Sequence, residues 1–184
     1  ARAEGAEEAG TYTYRTRVTA ARGEIIDCNG NVLVGNRASF NLVLIREALL
    51  NSKDYNESLR RLTNLAHERG LEMIDHFPVT MQKPYEYTKD EMSSTWNAHF
   101  KSFLRDRDWD ADISAPQLVR RLRDTYGIPE DWTEDEIRRV ISVRYELSLR
   151  TCTNLPTYVF LEDVDADSLA ALNDLNIPGL NVET

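Results

Sequence analysis

The sequence predicts an α+β fold, with small antiparallel β elements near both ends of the chain and a helical insert between them. Three observations support this. Asn29-Gly30, the strongest short turn signal, lies between Ile25-Ile26 and Val32-Leu33-Val34 and reads as a hairpin tip. Thr88-Lys89-Asp90-Glu91, Ser114-Ala115-Pro116-Gln117 and Thr133-Glu134-Asp135-Glu136 each fit the capping box, in which two side chains satisfy the orphan donors of a first helical turn. Tyr158-Val159-Phe160-Leu161, a helix capped by Asp165 and the turn Ile177-Pro178-Gly179 then give strand, helix and final extended segment.

In chain order, 1–10 is Ala, Glu and Gly apart from Arg2, and reads as a flexible lead. The domain proper is 11–184. Thr11 to Ala20 interleaves Thr, Tyr and Arg, a strand-favouring composition with an exposed basic face. Its blander reading is a solvated edge, its sharper one a docking edge for strand addition. Arg22-Gly23 starts the hairpin: the glycine permits a bend, and the arginine fork can tie backbone carbonyls and Asp27 together. At the tip, Asn29-Gly30 suits a two-residue type I′ turn, which needs positive φ at both positions.

Ala38 to Ile45 reads as a further strand. Tyr55 to Arg69 is an amphipathic helix with Leu59, Leu62 and Ala66 on one stripe and Gly70 as its stop. Leu71 to Pro84 is a linker, since Pro78 and Pro84 limit helix formation. The insert runs from about 88 to 147. Its three helices carry Met92, Trp96, Phe100 and Phe103; then Leu118, Leu122 and Tyr126; then Ile137, Val140, Ile141, Tyr145 and Leu147. With its own caps and apolar faces, it is expected to unfold separately from the strands. Leu169, Leu172 and Leu175 form the stripe of the last helix.

Composition narrows the chemistry. The 31 Asp and Glu against 22 Lys and Arg give a net charge of -9, which argues against nucleic acid as a partner. No segment approaches the roughly 20 apolar residues of a membrane span. Cys28 and Cys152 are too few for a disulfide framework or zinc site and are expected to be free thiols. His67, His76 and His99 show no metal-binding spacing. The acidic run Asp106 to Asp112 lacks the glycine and terminal glutamate of a calcium loop and reads as a solvated connection. No cofactor, metal or catalytic residue is therefore assigned.

Two stretches carry a resemblance. Arg22, Gly23, Ile25, Asp27, Asn29, Gly30, Leu33 and Asn36 fall on the pattern R-G-x-I-x-D-x-N-G-x-x-L-x-x-N, with Cys28 where arginine is usual. Ile177-Pro178-Gly179-Leu180-Asn181-Val182-Glu183 is similar to P-G-V-x-V-E. Phe77-Pro78-Val79, Arg144-Tyr145-Glu146-Leu147 and Tyr158 to Val164 stand in order between them. This resembles the pedestal, or dimerisation, domain of class B penicillin-binding proteins, the membrane-anchored transpeptidases that cross-link peptidoglycan. The resemblance implies an elongated, non-catalytic, extracytoplasmic domain whose structural motif is Arg22, Gly23, Asp27, Asn29, Gly30, Pro178 and Gly179.

It further implies a membrane helix preceding Ala1 and a transpeptidase domain following Thr184. The partners would be that transpeptidase domain and the cell-wall synthesis machinery, with a homodimer possible. Consistently, no serine here has lysine three residues on, and no lysine precedes Thr-Gly or Ser-Gly, so the S-x-x-K and K-T-G motifs are missing. Ser39-Phe40-Asn41 spells S-x-N without its partners. A free-standing interaction module of the same architecture stays open, as does, more weakly, a hydrolase using paired carboxylates.

Overall fold

The structure, a computed structural model, describes residues 25–34, 39–50, 52–151 and 155–183. The lead, the Thr11–Ala20 strand, Arg22, Gly23 and Cys152 lie outside the described residues. The chain divides into two compact units, Ala1–Arg37 and Ala38–Thr184.

In the first unit, β1 (Ile25–Ile26) pairs antiparallel with β2 (Val32–Val34). The connection differs from the expected two-residue turn. Asp27 N–H donates to the Asn31 carbonyl at 2.9 Å, and Gly30 N–H donates to the Asp27 carbonyl at 3.0 Å. The loop is therefore Cys28, Asn29 and Gly30, with Gly30 in the left-handed region at φ +83 while Asn29 is not. A type I turn followed by one left-handed residue is the three-residue alternative for a hairpin, and it needs glycine at one position only. Cys28 is exposed with a free thiol.

In the second unit, the sheet order is β4-β3-β5, with β3 (Phe40–Leu44) antiparallel to both β4 (Tyr158–Val164) and β5 (Leu180–Glu183). Leu42, Val43 and Leu44 are buried, as the apolar end of this strand predicts. A short helix not expected from the sequence, α1 (Arg46–Leu50), follows β3 directly and buries Leu49. Next, α2 (Tyr55–Glu68) buries Leu59, Leu62 and Ala66, its expected stripe. The linker is irregular, with a single bridge between Val79 and Tyr87.

The three capping signatures fare differently. Ser114-Gln117 and Thr133-Glu136 form complete capping boxes for α4 (Ala115–Tyr126) and α5 (Glu134–Leu149). Thr88 opens only a 3₁₀ turn, Lys89–Glu91. Its N–H is already taken by the Pro78 carbonyl at 3.0 Å, because Tyr87 pairs with Val79. The helix α3 (Ser94–Arg105) begins later, under Ser93, whose hydroxyl accepts from Trp96 N–H. Asp165 caps α6 (Ala166–Asn173) as expected, but Leu175 lies past its end.

The helices do not enclose a core of their own. Phe100 and Phe103 of α3, Leu118 and Leu122 of α4, Tyr145 of α5 and Leu42, Tyr158 and Phe160 of the sheet belong to one apolar cluster. Within it, Tyr145 packs its ring 5.1 Å from Phe77 and 4.8 Å from Phe103, centre to centre. This shared core counts against the expectation of separate unfolding: α5 is buried on nearly all sides because it lies between the other helices and the sheet.

Candidate functional site

Three constellations hold the chain's less regular parts in place. The first is the hairpin loop. Asp27 Oδ1 accepts from the backbone N–H groups of Asn29 and Asn31, and Oδ2 accepts from the Asn31 side-chain amide, all at 2.8 Å. The Asn31 side-chain bond, with the backbone donors behind it, holds the Asp27 carboxyl below its usual range. The carboxylate is thus engaged by its own loop. Its expected tie to Arg22 lies outside the described residues.

The second is the turn before β5. Leu180 N–H donates to the Ile177 carbonyl at 3.2 Å, closing a turn with Pro178 and Gly179 at its centre. Gly179 has φ +79, as a type II turn with central Pro-Gly requires. Its carbonyl accepts from Ile45 N–H at 2.9 Å, drawing the turn onto the junction of β3 and α1. A side chain here would place Cβ 2.6 Å from the Ile45 carbonyl oxygen and 2.9 Å from Ala48 Cβ. Glycine is demanded twice, by conformation and by space.

The third constellation was not anticipated. Arg138, Ser142 and Glu146 of α5 and its C-cap residue Arg150 recur every four residues and so share one face. That face meets the irregular linker. Arg138, only 1% exposed, donates from Nη2 to the Val79 carbonyl at 2.5 Å and to Asp75 Oδ2 at 3.1 Å, and from Nε to the Thr80 carbonyl at 3.1 Å. Its Nη1 bonds the Ser142 hydroxyl. One turn on, the fully buried Glu146 accepts from His76 N–H at 2.6 Å and from Arg150 Nη1 at 2.7 Å. The His76 ring faces the same carboxylate at 2.7 Å and stacks on Trp96 of α3 at 3.5 Å. Arg150 reaches on to the Pro156 carbonyl at 3.0 Å and lies 4.8 Å over the Tyr158 ring. The Tyr158 hydroxyl in turn donates to the Ile74 carbonyl at 2.5 Å.

This ionic seam fastens residues 74–80 between α5, α3 and β4. A chain segment without regular structure has backbone carbonyls to satisfy, and a buried guanidinium fork satisfies several at once. The sequence signal was the four-residue recurrence of Arg138, Ser142, Glu146 and Arg150 alongside the apolar stripe of α5. Their partners in the linker, 58–70 positions away, left no local trace.

A related tie joins α2 to the start of α5. Glu136 closes its capping box on Thr133 and accepts from Arg60 Nε and Asn64 Nδ2 at 2.8 Å each. Burial pushes its carboxyl up, but the bonds from Arg60, Asn64 and Thr133 outweigh this and hold it at about 2. In these ties the carboxylates face donors and the guanidinium groups face acceptors. The arrangement serves rigidity, since each of these groups is spent on a backbone or side-chain partner of the fold. Among the described residues no group of three or more His, Cys, Asp or Glu is placed to hold a metal. No helix among them is long and apolar enough to cross a membrane.

A search of curated proteins finds no match. The sequence profile of the family described as the penicillin-binding protein dimerisation domain matches residues 17–184, spanning the hairpin, the ionic seam and the closing Pro-Gly turn. With that span covered, the chain belongs to the penicillin-binding protein dimerisation domain family, a non-catalytic domain associated with those proteins.

Proposed function

We propose that this domain is the pedestal of a membrane-anchored peptidoglycan D,D-transpeptidase. It positions the catalytic domain of the full-length protein on the extracytoplasmic side of the bacterial cytoplasmic membrane and offers surfaces to the cell-wall synthesis machinery or to a second copy. On this reading the pedestal is 11–184, 1–10 is a lead, and about 88–147 is an insert into it. Arg22, Gly23, Asp27, Asn29, Gly30, Pro178 and Gly179 serve structure alone. The observation that carries the reading is the family match over residues 17–184 in a chain without S-x-x-K or K-T-G. A rigid, internally tied body suits positioning: every polar group that the seam spends on the linker is unavailable for chemistry.

The test is labelling with a fluorescent penicillin followed by denaturing electrophoresis. The full-length gene product is expected to give a covalent, serine-linked band, and the 184-residue chain none. A band on this chain defeats the non-catalytic reading. An unlabelled full-length product defeats the transpeptidase parentage and favours a free-standing interaction module.

A further inference from the structure

The acidic loop after α3 forms one wall of a cleft of about 630 Å³, a size in the ordinary range for small-ligand sites. Its floor is apolar: Phe100 and Leu104 of α3, and Trp109 of the loop. The two walls differ in charge. Lys89 and Lys101 stand on the side of α3 and the 3₁₀ turn, and Asp108 and Asp112 stand on the loop side. None of these four side chains has an ion-pair partner among the described residues, whereas Arg105, which also lines the cleft, pairs with Asp106 at 3.9 Å. Arg123, by contrast, closes on Asp124 at 2.7 Å and on Glu130 at 3.0 Å. Here the opposite charges face a shared space instead.

The cleft is also built. Lys89 Nζ is held 3.8 Å from the Tyr87 ring centre, by attraction to the ring face, in place of a carboxylate. Asn97 donates its amide to the Lys89 carbonyl at 3.0 Å, fixing the turn to α3. Asp108 adopts φ +54, an uncommon conformation for a residue with a side chain. That bend lets Trp109 N–H donate back to the Leu104 carbonyl at 3.0 Å and brings the loop over the helix end. Arg121 lies 4.9 Å over the Trp109 ring and pins it.

We propose that this cleft binds a zwitterionic ligand of the amino-acid or short-peptide class. The ligand's carboxylate faces Lys89 and Lys101, its ammonium faces Asp108 and Asp112, and one apolar side chain rests on Phe100 and Trp109. A purely anionic ligand meets repulsion from the loop wall, and a purely cationic one from the helix wall. An uncharged apolar ligand leaves all four charges to be desolvated without partners.

The experiment titrates the isotope-labelled domain with leucyl-leucine, with free leucine, and with the N-acetylated and C-amidated dipeptides, followed by amide chemical shifts. Saturable shifts confined to the Lys89–Asp112 region are expected for the unblocked dipeptide. Blocking either end is expected to weaken binding at least tenfold. Free leucine separates an amino-acid site, which it saturates equally well, from a peptide site, which it saturates weakly; either outcome supports the proposal. Lys101→Gln and Asp112→Asn, both exposed changes that leave the core intact, are each expected to reduce affinity by a similar factor. The proposal is overturned by no saturable shift with either zwitterion, by equal affinity for the blocked forms, or by unchanged binding in both variants.

Discussion

Glu136→Gln isolates the electrostatic share of the tie between α2 and α5. Glutamine keeps the size of the side chain and can still serve a capping box, so the change removes charge with little change of shape. In the folded protein the Glu136 carboxyl is held at about 2 against an ordinary 4.5. That difference corresponds to about 3 kcal/mol at roughly 1.4 kcal/mol per tenfold in proton affinity. Arg60 is a third exposed to water, which screens part of it, and a loss of about 1–3 kcal/mol is expected at pH 7. The sign follows from the depressed value. The folded chain binds this proton more weakly than the unfolded one, so the contribution is complete above 4.5 and disappears as pH falls towards about 2. The assay is urea unfolding of both proteins between pH 7 and 2. The stability difference is expected to be largest at neutral pH and to vanish at the acid end. A difference independent of pH, or a variant as stable as the parent at pH 7, would refute the assignment of Arg60 and Asn64 as its stabilising partners.

Gly179→Ala is expected to destabilise by about 2 kcal/mol or more, from backbone strain together with the clash on Ile45, read as a lower urea midpoint. Arg138→Met strands the Val79 and Thr80 carbonyls and Asp75, and a loss of about 3–5 kcal/mol is expected in the same assay; a loss under 1 kcal/mol would show that the linker is held by other means. Trp96, Trp109 and Trp132 all lie in the helical region, so tryptophan fluorescence follows it while far-ultraviolet circular dichroism follows the whole chain. One shared core predicts coincident transitions for residues 38–184, and a fluorescence change that precedes the other would show that the helices melt alone.

Features encoded locally were legible in the sequence, and those decided at a distance were not. Ser114-Gln117 and Thr133-Glu136 became capping boxes because both partners of each lie within one turn. The same signature failed at Thr88, where pairing of Tyr87 with Val79 claimed the backbone first. Asn29-Gly30 correctly announced a hairpin, but the dipeptide fits two loop lengths, and the bonds to Asp27 go with the longer one. Pro178-Gly179 read as a turn, whereas the closeness of Ile45 and Ala48, which excludes any side chain there, is a tertiary fact. The seam was hidden for the same reason. Asp75 and His76 look like ordinary linker residues until α5 is laid beside them.

The pairing of β3 with β5 has a mechanical consequence. Asn41 lies opposite Glu183 and Leu44 opposite Leu180, so the chain comes into the sheet and leaves it side by side, about one strand spacing of 4.8 Å apart. Whatever is joined at those two points is clamped through four residue pairs, while the helices between them hang outside the line of force. Tension applied across the two points opens the clamp like a zip, from the Asn41–Glu183 pair towards the turn at Gly179. The other edge of β3 stays paired to β4 throughout, so once the zip has run the pull passes through that strand to the helices packed on it.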